Sequence, residues 1–376
     1  MQSFPYEMLR EIYEQPVALR RTLELYSDGG KLKPELIKLL EKWTIPEGGV
    51  LIAGSGSSLH SGLAAKVILE DLCGLDVAVE YSCEYSFRGG PNLRERSVMV
   101  VSQSGETSDA LSALREARRR GFKTLAITNS ATSAMAHEAD VSLPLAAGVE
   151  KAIPATKSFT CQLAVLYLLA LYESKRLGRI DDAMVAKHIA ALWNTPGEIE
   201  AQIDNWQVQA AGLAHGKYKA AASFLFLGRG IHYAIAREGA LKVKESSYVH
   251  AEGYPTGELK HGPNAMVDDT VPLVVLATVD PGLEGSVLRY KKTLQLLRDM
   301  KAQGAKVIAV ANAGDQEVAG LVADCIYVRP VSEYLFPITE VVPLQLFAYF
   351  MGLEHGINVD RLRNISKIVL ERELVR

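Results

Sequence analysis

The sequence predicts an α/β protein with two tandem, doubly wound parallel-sheet domains of the flavodoxin-like type, related by an internal repeat. First, short apolar strands alternate with helical patterns along the 376-residue chain. Second, these strands are apolar throughout, which is typical of a parallel sheet covered by helices on both faces. Third, the same succession of motifs occurs twice, which indicates one structural unit used two times.

The repeat begins at two similar segments, GVLIAGSGSSLHSGLAAKV (49–67) and SFLFLGRGIHYAIAREGALKV (223–243). Each is an apolar strand followed by Gly-x-Gly and a helical pattern. Gly54 in the first copy matches Gly228 in the second.

The offset between the copies is larger farther along the chain. Gly121 matches Gly304, and Gln162 matches Gln345 at the same offset as these two glycines. The second copy therefore carries about nine extra residues between its first and its later strands.

These patterns divide the chain into five segments. The strands predicted in the first copy are VLIAG, DVAVEY, SVMVVS, KTLAIT and VSLPL. We expect an N-terminal helical segment (1–45), a first α/β domain that binds phosphate (46–177), a helical linker (178–216), a second α/β domain that carries the catalytic base (217–352) and a C-terminal tail (353–376).

The composition excludes several classes of function. A net charge of −3 argues against a nucleic-acid-binding surface. The N-terminus lacks the apolar core of a secretory signal, and the most apolar stretch, Leu163–Tyr172, is too short to span a bilayer. Four widely spaced cysteines are typical of a reduced protein. We therefore expect a cytoplasmic protein that binds neither nucleic acid nor membranes.

The stretch SQSGETSD (102–109) follows an apolar strand and directly precedes a helical pattern. At this end of a parallel strand the first amides of the helix have no intrahelical acceptor, and the helix dipole favours a negative charge. Ser102, Ser104 and Thr107 add hydroxyl donors, and Gly105 permits a tight turn. Because the Gly-Lys-Ser/Thr ending of a nucleotide P-loop is missing, we expect a site for a single phosphate ester.

A dinucleotide site at AGSGSS (53–58) is the competing interpretation. Glu80, at the end of the next strand, could hold a ribose, but Leu59 stands at the third glycine position, so we expect the helix to approach the sheet less closely. Under the phosphate-ester interpretation, Ser57 and Ser58 are hydroxyls beside the substrate. We expect no cofactor.

The second copy contains candidate catalytic residues. Its loop LATVDPGLEG (276–285) has lost most of the hydroxyls. Glu238, Lys242 and Glu245 share one face of a predicted helix, which leads into the loop HAEGYPTGELKHGP (250–263), a loop rich in ionisable groups.

The ionisable groups of this loop do not have the short, regular spacing of a zinc site, so we expect no metal: they are His250, Glu252, Glu258 and His261. On a sugar phosphate, a carboxylate could move a proton between neighbouring carbons. His261 is a candidate for ring opening, and a lysine could stabilise an enolate or form a Schiff base. Composition and spacing do not identify the substrate.

The chain resembles the double sugar-isomerase (SIS) domain proteins, and in particular the isomerase half of the glutamine–fructose-6-phosphate aminotransferase (glucosamine-6-phosphate synthase) family. The similarity covers nearly the whole chain. It is carried by EIYEQP (11–16), SQSGETSD, ATKSFTCQ (155–162), EGALKVKESSYVHAEGYPTGELKHGP (238–263) and VDRLRN (359–364).

This resemblance implies roles for individual residues. The residues that hold the sugar phosphate would be Ser102, Gln103, Ser104 and Thr107. Ser58 would touch the sugar, and Glu245 would move the proton between C1 and C2. His261 would assist ring opening from the neighbouring subunit of a homodimer. Lys242 would lie in the same site, and Lys367 would reach the open-chain carbonyl from the tail.

The sequence departs from the family in four places. Gln2 stands where a glutaminase domain would need a nucleophilic cysteine, so we expect no ammonia from glutamine by this chain alone. Leu362 stands where the family usually has proline, and the tail extends farther beyond Lys367. Ala155 stands where a serine is common, so one sugar contact is expected to be lost.

We expect a glucosamine-6-phosphate deaminase/isomerase that forms fructose 6-phosphate and ammonia. Three alternatives stay open at this point. One is the isomerase component working in the synthetic direction, with free ammonia or a separate amidotransferase partner. Another is a deglycase of sugar–amino-acid 6-phosphates, and the third is a non-catalytic sugar-phosphate sensor.

Overall fold

The computed structural model describes residues 4–87 and 96–367, and it confirms the predicted α/β fold class. Among these residues there are two five-stranded parallel sheets and one short antiparallel hairpin. The strands are β1 (Ser27–Asp28), β2 (Lys31–Leu32), β3 (Val50–Gly54), β4 (Val77–Tyr81), β5 (Ser97–Val101), β6 (Thr124–Thr128), β7 (Val141–Pro144), β8 (Ser223–Gly228), β9 (His250–Pro255), β10 (Leu273–Leu276), β11 (Val307–Asn312) and β12 (Asp324–Val328).

Helices connect the strands of the two parallel sheets. The α-helices are α1 (Glu7–Tyr13), α2 (Gln15–Tyr26), α3 (Pro34–Leu40), α4 (Ser57–Cys73), α5 (Ser82–Tyr85), α6 (Ser108–Arg119), α7 (Ala134–Glu138), α8 (Lys157–Arg176), α9 (Asp182–Glu200), α10 (Ile203–Leu213), α11 (His232–Ser247), α12 (Glu284–Ala302), α13 (Gln316–Ala319) and α14 (Phe336–Glu354). A π-helical segment covers Ala214–Tyr218, and 3-10 helices cover Thr256–His261, Pro263–Met266 and Glu333–Leu335.

The chain divides into two compact units. The first unit comprises the described residues within Val17–Glu150, Lys157–Trp193 and Ile365–Arg376, and the second those within Met1–Pro16, Lys151–Thr156 and Asn194–Asn364. The predicted linker 178–216 contains α9 and α10, and the assignment to units changes inside α9. Each unit contains one of the two parallel sheets.

Both sheets have the same strand order. It is β4-β3-β5-β6-β7 in the first unit and β9-β8-β10-β11-β12 in the second. In each sheet the third strand in chain order lies on the opposite side of the first strand from the second. At this reversal, ligands of flavodoxin-like sheets bind beyond the carboxyl ends of the first and third strands. In the first unit the crevice lies at the ends of β3 and β5.

The extra length of the second copy lies mainly in one helix. The number of residues that separates the fourth strands of the two copies, β6 and β11, is larger than the number that separates the first strands, β3 and β8. Helix α12 has 19 residues and its counterpart α6 has 12, so seven of the extra residues lengthen this helix by about two turns.

Every residue of β3 and β5 is buried, because helices cover both faces of the first sheet. Helix α6 packs Ala110, Ala113 and Leu114 onto the face that carries Leu51 and Ala53. In the second unit α12 covers one face of the sheet in the same way, and α11 packs against β8 and α14.

Helix α4 approaches β3 closely in spite of Leu59. A Cβ atom on Gly62 would lie 2.9 Å from Cγ2 of Ile52, whose side chain points to the face opposite α6. The expectation of a looser approach is therefore wrong, because Gly62, about one turn after the fingerprint position, supplies the space.

One described helical segment, Glu333–Glu354, is long and apolar enough to cross a membrane. However, 94% of its most apolar window is buried inside the structure. Its apolar composition is explained by its place in the core of the second unit.

A network of buried charges lies beyond the ends of β8 and β10 in the second unit. The Glu333 carboxylate accepts hydrogen bonds from Arg289 Nε (2.8 Å), Arg289 Nη2 (2.6 Å) and Ser286 Oγ (2.6 Å). The His232 ring lies 2.8 Å from Glu340 Oε2 through Nδ1 and 3.3 Å from Glu333 Oε1 through Nε2. The crevice of the second unit is thus occupied by its own side chains.

The basic residues of the network keep Glu333 ionised. Burial alone would raise the pKa of the Glu333 carboxyl, but the hydrogen bond and charge of His232 and the charge of Arg289 outweigh burial and lower the pKa to about 2. Burial would lower the pKa of His232, but the nearby carboxylates of Glu340 and Glu333 raise it. The charges therefore stabilise one another.

We predict that Glu333→Gln lowers the free energy of unfolding at pH 7 by about 3–5 kcal/mol, since it leaves Arg289 without its buried anion. It also leaves His232 with Glu340 alone of its two carboxylates. A carboxyl group with a folded-state pKa of about 2 and an ordinary value of 4.5 stabilises the protein above pH 4.5, and this contribution is lost as the pH falls toward 2. The difference between variant and wild type should therefore shrink over that range in denaturant unfolding followed by circular dichroism.

The matched control is Glu317→Gln, which removes an exposed partner of Arg298 and should change stability by less than about 1 kcal/mol. A Glu333→Gln variant as stable as the wild type at pH 7 would contradict the stabilising role of the network.

Candidate functional site

The segment Ser102–Thr107, called the anion loop below, lies between β5 and α6 at the crevice of the first unit. Three hydroxyls converge there: Ser104 Oγ and Ser102 Oγ lie 3.3 and 3.5 Å from Thr107 Oγ1. Ser104 Oγ also accepts a hydrogen bond from the Glu106 amide (3.1 Å). The loop therefore has the groups and the position that suit a small anion.

Gly105 is required by the shape of the anion loop. Its φ angle is +66°, and a Cβ atom there would lie 2.2 Å from Ser133 Oγ and 2.7 Å from Thr128 Oγ1. The Gly105 carbonyl accepts a hydrogen bond from the Met135 amide (3.1 Å), and Glu106 Oε1 accepts one from the Ala134 amide (2.8 Å). The turn is thus fixed against the first residues of α7.

Gln103 connects the anion loop to the next strand. Its carbonyl accepts hydrogen bonds from the Asn129 amide (3.0 Å) and from Thr128 Oγ1 (3.3 Å). The Gln103 side chain is half-buried. All four residues predicted to hold the phosphate are therefore in one loop.

Ser58 lies in the first turn of α4, on the other side of the same crevice. It is buried, and its Oγ accepts a hydrogen bond of 3.1 Å from Gln162 Nε2 on α8. The Gln162 side-chain oxygen accepts in turn from Ser61 Oγ (3.0 Å). Gln162, which the repeat singled out, orients the hydroxyl predicted to touch the sugar.

The second unit holds the predicted trio of Glu238, Lys242 and Glu245 on one face of α11. The Lys242 side chain is fully buried, and its Nζ lies 2.5 Å from Glu245 Oε2 and 3.4 Å from Glu238 Oε1. Glu238 is also fully buried, whereas 18% of the Glu245 side chain is exposed. Glu245 is thus the carboxylate of the trio that solvent or a ligand can reach.

His261 ends the 3-10 helix Thr256–His261 and is exposed. The following segment, Pro263–Met266, is partly exposed as well. A histidine in such a position is accessible to another molecule, as the expected contribution across a dimer interface requires.

Two tail contacts lie inside the second unit. The Asp360 carboxylate accepts hydrogen bonds from the amides of Glu7 (2.7 Å) and Met8 (2.9 Å), so it caps the N-terminus of α1. The Arg363 guanidinium lies 4.2 Å from the centre of the ring of Tyr248, the residue directly after α11. The VDRLRN motif therefore fixes the tail near the helix that carries Glu245.

Lys367 belongs to the first unit. Its Nζ lies 2.9 Å from Oε2 of Glu150, whose side chain is fully buried. Sequence reasoning missed Glu150, although a signal existed: Glu333 follows Glu150 at the same offset at which Gln345 follows Gln162. A buried acidic residue at the same place in both copies indicates that each needs a partner.

Residues 4–87 and 96–367 contain no group of three or more His, Cys, Asp or Glu side chains arranged to hold a metal ion. Of the four predicted catalytic residues, three lie in the second unit and one in the first. They are Glu245, Lys242 and His261 in the second unit and Lys367 in the first.

The SIS domain family model matches residues 45–172 and 217–353. The glutamine–fructose-6-phosphate aminotransferase (isomerizing) of Caldanaerobacter subterraneus is 36% identical over 377 residues, which cover 98% of this chain. The Thermus thermophilus protein of the same name is 39% identical over 373 residues, again 98% of this chain. The chain spans 59% of the length of each of these relatives.

Solved structures agree with this. The C-terminal domain of glucosamine–fructose-6-phosphate aminotransferase from Francisella tularensis matches with a TM-score of 0.88 and 30% identity, over 96% of this chain and 98% of that one. Glucosamine-6-phosphate deaminase from Thermotoga maritima matches with a TM-score of 0.70 at 23% identity, over 97% and 100% of the two chains, and this likeness concerns the fold alone. With two matched domains and relatives similar over nearly its whole length, the chain belongs to the SIS domain family.

Proposed function

We propose that the protein is a phosphosugar isomerase that acts on amino-sugar phosphates and converts glucosamine 6-phosphate to fructose 6-phosphate and ammonia. The observation that carries the proposal is the ion pair on α11, where the partly exposed Glu245 carboxylate is held by the fully buried Lys242. The names of the two relatives, which are 36% and 39% identical, support an amino-sugar phosphate as substrate.

The phosphate group binds at the anion loop. The hydroxyls of Ser102, Ser104 and Thr107 donate hydrogen bonds to phosphate oxygens, and the amides at the start of α6 add partial positive charge. Gln103 contributes its side-chain amide, and Ser58 contacts the sugar. The phosphate is thus bound at the anion loop, and the reacting carbons C1 and C2, at the other end of the sugar, are free to react.

The reaction is a proton transfer followed by hydrolysis. In the open-chain sugar, the Glu245 carboxylate removes the proton from C2, which carries the amino group, and returns it to C1. The product of this transfer is the C2 imine of fructose 6-phosphate. Water adds to C2 and ammonia leaves, so that one water molecule is consumed and one ammonia molecule is released.

Three further residues support these steps. Lys242 fixes the orientation of the Glu245 carboxylate and stabilises charge that develops on the substrate. His261, contributed by the other subunit of a homodimer, assists ring opening. Lys367 contacts the C1 carbonyl oxygen of the open chain. We place the enzyme in the cytoplasm, where its phosphorylated substrate is formed.

The synthetic direction is the second candidate, favoured by the aminotransferase name of the relatives. In that direction fructose 6-phosphate takes up ammonia, either free or delivered by a separate amidotransferase. The same residues catalyse both directions, because the proton transfer is reversible. Incubation with glucosamine 6-phosphate, and separately with fructose 6-phosphate and ammonium, distinguishes the preferred direction.

We predict that Glu245→Gln lowers kcat for release of ammonia from glucosamine 6-phosphate by about 10²- to 10⁴-fold, since it removes the base but keeps the shape of the side chain. KM should change little, because the phosphate contacts remain. Ammonia and fructose 6-phosphate are measured in parallel, with Glu317→Gln as the exposed control. Unchanged turnover in Glu245→Gln would remove this mechanism, and a wild type that binds but never converts sugar phosphates would indicate a sensor.

We predict that Ser104→Ala and Thr107→Val each raise KM for glucosamine 6-phosphate about tenfold or more, because each removes a hydrogen bond to a charged phosphate. Inhibition by inorganic phosphate should weaken by a similar factor. The control is Ser112→Ala on the exposed face of α6, which should leave both constants unchanged. An equal loss in all three variants would place phosphate binding elsewhere.

We predict that a mixture of inactive Glu245→Gln and His261→Ala proteins regains about a quarter of wild-type activity after subunits are exchanged. Half of the dimers would then be mixed, and one of the two sites in each would combine an intact Glu245 with an intact His261. Activity is measured before and after mild denaturation and refolding. A mixture that stays inactive, although sedimentation shows mixed dimers, would refute the contribution of His261 across the interface.

A further inference from the structure

We infer that Glu150 is a positioning residue whose buried carboxylate holds the ammonium group of Lys367 and so fixes the C-terminal tail on the first unit. The importance of Lys367 for turnover rests on the proposed function. The ion pair itself does not depend on that proposal, so the two are tested separately below.

Both carboxylate oxygens of Glu150 are used. Oε1 accepts a hydrogen bond from the Ser158 amide (3.1 Å), and Oε2 accepts from Ser158 Oγ (2.7 Å) and from Lys367 Nζ (2.9 Å). The buried Lys157 nearby donates its Nζ proton to the Val149 carbonyl (2.7 Å). Ser158 therefore orients the carboxylate, and Lys367 supplies a positive charge to it.

The repeat explains why a tail residue has this role. Glu333, the counterpart of Glu150, is held by His232 and Arg289 from within its own unit. His232 corresponds to Ser58 in the first copy, at the same offset that relates Gly228 to Gly54. A neutral hydroxyl thus replaces the histidine.

The arginine is replaced as well. Arg289 lies five residues after the start of α12, and the residue at this place in α6 is the fully buried Ala113. The first unit thus lacks both basic residues that hold Glu333 in the second. A lysine from a remote segment, 217 residues away along the chain, pairs with Glu150 instead.

Hydrogen bonds connect the Glu150 segment to the anion loop. The Asn129 amide donates to the Gln103 carbonyl (3.0 Å), and Asn129 Nδ2 donates to the Gly148 carbonyl (2.8 Å). Asn129 Oδ1 accepts from the Ala147 amide (3.1 Å). Gly148 is two residues before Glu150, so the ion pair and the anion loop are held at the same edge of one sheet.

Hydrogen exchange without substrate tests the ion pair. In the intact protein, we expect Glu150→Gln and Lys367→Met to speed amide exchange of a peptide ending at residue 367 about tenfold, which corresponds to 1.4 kcal/mol. Lys367→Arg keeps the positive charge and should retain slow exchange. The control Glu138→Gln, which breaks the surface pair with Arg115, should exchange like the wild type.

Turnover of glucosamine 6-phosphate tests the positioning role. Glu150→Gln and Lys367→Met should lower kcat by similar factors with little change in KM, and the double variant should be no worse than Lys367→Met alone. Lys367→Arg should lose turnover while keeping slow exchange, a separation that simple destabilisation would not produce.

Three results decide the inference. Exchange that stays slow in both Glu150→Gln and Lys367→Met would overturn the inference. The Lys367 variant decides the matter if Glu150→Gln folds poorly, because Lys367 is partly exposed and lies outside the core. Fast exchange with unchanged kcat would also overturn the positioning role. A wild type without isomerase activity would refute the proposed function, and the exchange experiment would still decide the ion pair.

Discussion

A carboxylate that is withdrawn from water needs a positive charge or several hydrogen-bond donors, and this requirement governs the charged interior of both units. Removing one member of a buried pair costs about 3–5 kcal/mol, far more than an exposed pair contributes. Lys242 meets this requirement for Glu238 and Glu245, and Arg289 meets it for Glu333. Ser158 and Lys367 of the tail contribute to it for Glu150. Glu150 and Glu333 each follow the last strand of their sheet in sequence, whereas the Lys242 pairs lie on α11 before β9.

The two copies of the repeat show how one fold supports two tasks. The crevice of the first unit keeps short hydroxyl side chains, which leave room for an anion. In the second unit, the Glu333 carboxylate accepts hydrogen bonds from Arg289 and Ser286. The second crevice therefore contains a buried carboxylate with its basic partner, where the first has a loop rich in hydroxyl groups.

The fold was predictable because its signals are local. Apolar strands, helical periods and glycine turns are read within about twenty residues, and the repeat confirmed each of them a second time. The common face of Glu238, Lys242 and Glu245 was predictable for the same reason, but not its burial, which depends on α14.

The pairing of Glu150 with Lys367 was not predicted, because no local pattern relates residues 217 positions apart. Likewise, the close approach of α4 to β3 occurs at Gly62 and not at position 59, where the dinucleotide fingerprint has its third glycine. A small residue elsewhere on the same helix face can provide the same space.

The choice of a tail lysine in the first unit, instead of a core arginine, has a physical consequence. Arg289 donates to Glu333, Ser286 and the Thr278 carbonyl together, and its helix is packed into the core, so it stays with its carboxylate. Lys367 Nζ donates to one carboxylate oxygen of Glu150, its side chain is 21% exposed, and it lies in the C-terminal tail. If Lys367 contacts the substrate as we propose, it must leave Glu150, whereas an arginine placed like Arg289 would have to break its hydrogen bonds to Glu333, Ser286 and the Thr278 carbonyl together. A partly exposed lysine of the tail therefore suits the positioning role that we infer for Glu150 better than a core arginine does.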